Sequence, residues 1–80
     1  MAEEVPAHTS VEIERSHEGE RTLTLNQIDG ESPWTVMDPV TGGTVKQGPK
    51  AEGSLPITIP MNMPVRIEND GDYPIGYTLV

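Results

Sequence analysis

Three carboxylates at alternate positions, Glu68, Asp70 and Asp72, surround Gly71 near the C-terminal end of the chain. Oxygen ligands spaced this way suit calcium, which takes about six to eight of them, often from one loop. The EF-hand order, with acidic positions, a glycine and a distant glutamate, is not met. Asn69-Asp70-Gly71 is also turn chemistry, with Gly71 supplying a positive φ. Calcium loop and tight turn are therefore the two readings of this stretch. His8 and His17 are the two histidines. Zinc asks for about three or four ligands in tetrahedral reach, and no His-x-x-x-His spacing gathers them here, so both read as exposed side chains. His17 beside Glu18 is suited to a pH-sensitive contact.

Nucleophilic chemistry finds little support. Ser10, Ser16, Ser32 and Ser54 lie outside any Gly-x-Ser-x-Gly elbow. The chain has no cysteine, which removes thiolate catalysis, thiolate metal sites and disulfides together. The carboxylate pairs Glu12/Glu14 and Glu18/Glu20 lack a cleft, because 80 residues leave little room for one of roughly a few hundred Å³. The expectation is a protein that is not an enzyme and needs no cofactor. Trp34, Tyr73 and Tyr77 invite a sugar-stacking reading. Strand parity instead places Tyr73 and Tyr77 in one row with Ile75 and Leu79, and Trp34 with Val36, as buried aromatics with satisfied polar tips. Met61 and Met63 differ. They fall between strands, where an exposed methionine pair makes an adaptable contact surface.

The elements that must position these residues are strands. Leu55, Ile57, Ile59, Met61, Met63, Val65 and Ile67 form an apolar row at every second residue, resumed by Tyr73, Ile75, Tyr77 and Leu79. That period places one apolar face on a β-strand. Residues 11–15 alternate likewise, and with residues 21–26 (Leu23 and Leu25 inward) they predict a hairpin across a turn at residues 16–20. Residues 34–38 and 44–47 are two further strands flanking a turn that contains Gly42-Gly43. Residues 48–53 read as a loop. Residues 54–59 form a strand, residues 60–63 a four-residue connection and residues 64–68 the return strand, a second expected hairpin. Residues 73–80 close the domain. Pro56, Pro60 and Pro64 fall on the outward parity, and a proline inside a strand marks a sheet edge. No segment has a helical apolar period. The predicted fold is all-β: a small antiparallel β-sandwich or jelly-roll-like barrel of about seven short strands. Residues 1–10, aperiodic and holding Pro6, are expected as an extended N-terminal arm ahead of a single domain at 11–80.

Composition bounds the partners. Thirteen acidic against five basic residues give a net charge of −8, unsuited to phosphate neutralisation on nucleic acid or to an anionic membrane. No run approaches a membrane span, and the acidic N-terminus lacks the apolar core of a signal peptide. With 34% hydrophobic residues and no Phe, the core is small. A domain of this size commonly needs a staple, and without cysteine that leaves oligomerisation or docking.

Two resemblances follow. The strand at Trp34-Thr35-Val36-Met37 running into Asp38-Pro39-Val40-Thr41-Gly42-Gly43, then the strand ending Val65-Arg66-Ile67-Glu68-Asn69 and the closing Tyr77-Thr78-Leu79-Val80, is similar in order to bacterial pre-peptidase C-terminal β-sandwich domains. That likeness, over about residues 21–80, implies the sandwich shape alone. In size, charge and architecture the chain resembles the head-decoration (cement) proteins of tailed bacteriophages. Such proteins commonly sit as trimers on a capsid and engage it with arms. The expectation is thus a non-enzymatic assembly protein located in the virion, with a homo-oligomer such as a trimer and a larger capsid-like complex as partners. Its expected interface residues are Val5, Pro6 and His8 of the arm, Glu12 and Glu14, and the tip at Met61 and Met63. The alternative is a small module binding carbohydrate or calcium through Glu68, Asp70 and Asp72.

Overall fold

Apolar side chains at every second position need a second layer to cover them, and two sheets provide it. The computed structural model describes residues 3–49 and 55–80, with the side chain of Leu55 outside the description. Its strands are β1 (Glu3–Val5), β2 (Ser10–Ile13), β3 (Arg21–Gln27), β4 (Trp34–Met37), β5 (Thr44–Gly48), β6 (Leu55–Ile59), β7 (Val65–Asn69) and β8 (Ile75–Leu79). They form two four-stranded antiparallel sheets, ordered β1-β8-β3-β6 and β2-β7-β4-β5. No helix among the described residues is long and apolar enough to cross a membrane.

The strand order is that of a jelly roll, the double-sheet architecture of two Greek keys. Of the consecutive strands only β4 and β5 share a sheet, and the others pass from one sheet to the opposite one. Two expected hairpins are therefore absent. β2 pairs with β7 rather than β3, and β6 pairs with β3 rather than β7. Alternation specifies which face a strand buries, and pairing across the sandwich is decided by topology.

The core forms where the two inner faces meet. Val5, Leu23, Leu25, Ile57, Ile59, Ile75 and Tyr77 come from one sheet, and Trp34, Val36, Val65 and Ile67 from the other. Val11, Ile13, Val45, Met63 and Leu79 pack against its margin. Among the described residues there are eight strands rather than seven, because the segment expected as an arm contains β1. Three residues paired with β8 carry a single apolar side chain, Val5, which is fully buried. One inward residue leaves no period to detect. Tyr73 is likewise displaced from expectation. It precedes β8 and is 44% exposed, whereas Tyr77 is in the core.

The four outer strands are β1, β6, β2 and β5. Pro56 sits within β6, opposite Thr24 of β3, so the proline does lie on a sheet edge. β1 carries Glu3 and Glu4, β2 carries Glu12, and β5 carries Lys46 beside a register shift at Val36/Met37. Charge, bulge or proline thus blunts every free edge.

Strand direction sorts the connections into two ends. One, the closed end, gathers residues 6–9, 28–33 and 70–74. The other, the open end, gathers residues 14–20, 38–43 and 60–64 and the end of β8. At the closed end Gly71 takes no positive φ. A glycine is needed there for proximity, since a Cβ would stand 2.3 Å from Ser32 Oγ and 2.6 Å from Ser32 Cα. Gly71→Ala should therefore cost about 2 kcal/mol or more in a urea unfolding experiment, within the range of overpacking. A loss under about half that value would show that Ser32 moves aside freely.

Candidate functional site

Asn69, the last residue of β7, is buried with 1% of its surface exposed. A primary amide in that position must be fully bonded or it destabilises the fold. Its Nδ2 donates to the Val5 carbonyl at 3.0 Å and to the Tyr73 carbonyl at 2.7 Å, and its Oδ1 accepts from Gly71 N at 2.9 Å. Its backbone N–H donates to Thr9 O at 2.9 Å. Ser32, equally buried, donates to Tyr73 O at 2.7 Å and accepts from Tyr73 N at 3.1 Å. Asp70 N donates to Pro33 O at 3.0 Å. The Tyr73 ring lies against Gly30, where a Cβ would approach within 2.7 Å of it. This network closes one end of the sandwich.

The carboxylates proposed for calcium flank that network without assembling a site. Among the described residues no three His, Asp or Glu side chains are placed to hold a metal ion. Asp72 Oδ1 stands 2.7 Å from His8 Nε2, both side chains being exposed. Asn69, flanked by these acids in the sequence, is the residue on which the loop is built. Burial of an asparagine at a strand end has no sequence signature apart from its inward parity with Val65 and Ile67.

The open end has a different chemistry. Val40, Met61 and Val80 are 72%, 51% and 84% exposed. Among the described residues they are three of the four large hydrophobic side chains exposed in this way, the fourth being Tyr73. Local bonds hold their loops. Val40 N donates to Asp38 Oδ1 at 2.8 Å, and Asp38 N to Gly43 O at 2.8 Å. Asn62, with φ of 65°, donates its N–H to Ser16 O at 2.8 Å, and its Oδ1 is 2.7 Å from His17 Nδ1. Val80 and Thr22 exchange backbone bonds of 3.0 Å in both directions. Beside them lies a groove of about 480 Å³ lined by Glu12, Glu14, Arg15, His17, Pro39 and Pro64.

The expected interface residues are thus divided. Met61 is exposed and Met63 half-buried against the core at the open end. Glu12 and Glu14 are exposed in the groove, and Glu12 accepts two hydrogen bonds from the Arg66 guanidinium. That pairing raises the Arg66 pKa, keeping its charge fixed. Pro6 and His8 are exposed at the opposite, closed end, and Val5 is buried in the core and not available to a partner while β1 is in place. Val40 and Val80 carry no sequence signal, because a lone apolar residue in a loop or at a strand end has no pattern. Of the aromatics, Tyr77 finds its polar partner, donating to Glu3 Oε2 at 3.0 Å. Trp34 Nε1 is buried without one.

Burial, then the Glu3 hydrogen bond, raise the Tyr77 pKa above its ordinary 10.0. The native protein holds this proton more tightly than the unfolded chain does. The resulting stabilisation is complete below about pH 10 and is lost as pH rises through the native value. An ultraviolet titration of tyrosinate should show Tyr77 ionising above the ordinary value, and Glu3→Gln should bring it part of the way back. Ionisation of Tyr77 at the ordinary value in both proteins would contradict the placement of β1 over β8.

No protein-family model matches this chain and no curated protein is similar to it, so its function has to be argued from the geometry of its own residues.

Proposed function

We propose that this protein is a non-enzymatic assembly module that docks onto a larger protein complex by the open end of its sandwich. The most concrete form of this function is capsid decoration in a tailed bacteriophage, where the protein would reside in the virion. One observation carries the reading: Val40, Met61 and Val80 are exposed at the same end of a very small fold. Methionine adapts its shape to a partner and is enriched in interface cores. Glu14, Glu18 and Glu20, exposed in the neighbouring connection, supply an acidic rim. Apolar burial at the centre then drives association, while the rim selects a basic partner surface and speeds encounter. The net charge of −8 points the same way, towards protein and away from nucleic acid or anionic lipid.

Co-sedimentation with purified capsids from the same source organism tests the docking end. Wild-type protein should pellet with the particles, more strongly at low salt. The double variant Val40→Asp/Met61→Asp should bind at least about tenfold more weakly, a loss of about 1.4 kcal/mol. Its thermal unfolding should be nearly unchanged, since both side chains are exposed. Equal binding by the variant would remove the open end from the interface, and no binding by wild type would remove the capsid.

A further inference from the structure

β8 is an inner strand only because β1 covers it. The cover is slight: three residues in register as Glu3↔Tyr77, Glu4↔Gly76 and Val5↔Ile75. Its anchors are the Val5 side chain in the core, the Asn69 amide on the Val5 carbonyl, and Glu3 on the Tyr77 hydroxyl. Every one of these joins β1 to β7 or β8. β1 and β2 lie in different sheets and are connected through residues 6–9 alone.

That connection is folded back on itself. Thr9 donates to Pro6 O from its N–H at 3.3 Å and from its Oγ1 at 2.7 Å, and His8 takes the left-handed conformation at φ of 58°. Its ties to the rest of the fold are the Asn69 N–H on Thr9 O, next to β2, and the exposed His8–Asp72 pair. A short connection with a left-handed residue, leading to a three-residue edge strand with few anchors, is the setting in which identical elements exchange between copies.

We propose that β1 is an exchangeable strand: residues 6–9 open, and the Glu3–Val5 segment of one copy covers β8 of a second copy, which returns its own. The partner is a second copy of this chain because only that partner restores Val5 to its core site, the Asn69 bond and the Glu3–Tyr77 bond. The exchanged and closed forms share these contacts, so concentration and the length of the connection decide between them. The exchange makes no use of Val40, Met61 or Val80, and so is independent of docking by the open end.

Changing the length of the connection tests the idea, with molar mass read by light scattering after refolding. Removing Pro6, Ala7 and His8 leaves Thr9 alone between Val5 and Ser10. The reach is then about 7 Å, against roughly 10 Å between packed sheets. This variant should refold entirely as dimers or larger closed oligomers, with a far-ultraviolet spectrum like that of wild type. Wild type refolded at about 1 mM should contain at least about tenfold more dimer than when refolded at about 10 μM. Inserting Gly-Ser-Gly after Ala7 should abolish that dimer. A shortened chain that folds as a monomer would overturn the proposal. So would a shortened chain that stays unfolded at high concentration, where exchange would supply the missing strand, or a wild-type dimer that survives the insertion.

Discussion

The Asn69 side chain is the constraint around which the rest of this sandwich is arranged. A buried primary amide has two donors and an acceptor to satisfy, and leaving one unpaired costs about 1–3 kcal/mol. Here each finds a backbone partner: Val5 of β1, and Tyr73 and Gly71 of the connection between β7 and β8. The first of these holds the N-terminal strand in place. The other two fix the path by which the chain crosses from one sheet to the other. Ser32 completes the arrangement from the β3–β4 connection and leaves no space for a side chain at residue 71. Among the described residues 11 apolar side chains are buried, and a core of that size benefits from such a closure.

A division of labour follows from this. The closed end has its polar groups turned inward onto each other, and its acids at residues 70 and 72 are left facing solvent. The open end turns its polar groups to shaping loops, as in the Asp38 turn and the Asn62–Ser16 and Asn62–His17 contacts. Outward, those loops present Val40 and Met61 beside the acidic side chains of Glu14, Glu18 and Glu20. A jelly roll as such supports many functions. The proposed docking role therefore rests on where Val40, Met61 and Val80 fall and not on the architecture.

The architecture was largely legible in the sequence. The residues at 57, 59, 65, 67, 75 and 77 announced their inward face by parity, and all are buried. Pro56 announced an edge. Pairing partners were not legible, because both expected hairpins join neighbours in sequence whereas the fold joins strands such as β2 and β7 that are some fifty residues apart. Nor was β1, whose single buried residue follows two exposed glutamates. Tyr73 shares the parity of Ile75, yet parity has meaning only within a strand, and β8 begins two residues later. At the candidate site Met61 was legible from its place between strands. Val40 was not, because exposure in a turn is a property of the folded loop.

Native-state amide hydrogen exchange tests the central contrast between the two ends most directly. Buried, bonded amides open only with large parts of the fold, whereas surface loops open locally. The amides of Asn69, Gly71 and Tyr73, bonded to Thr9 O, Asn69 Oδ1 and Ser32 Oγ, should be protected nearly as well as those of β3. The Thr41 amide, in the exposed turn at the open end, should exchange orders of magnitude faster. Fast exchange at Gly71 and Tyr73, on a par with Thr41, would contradict the account of Asn69 as the closure on which the fold depends.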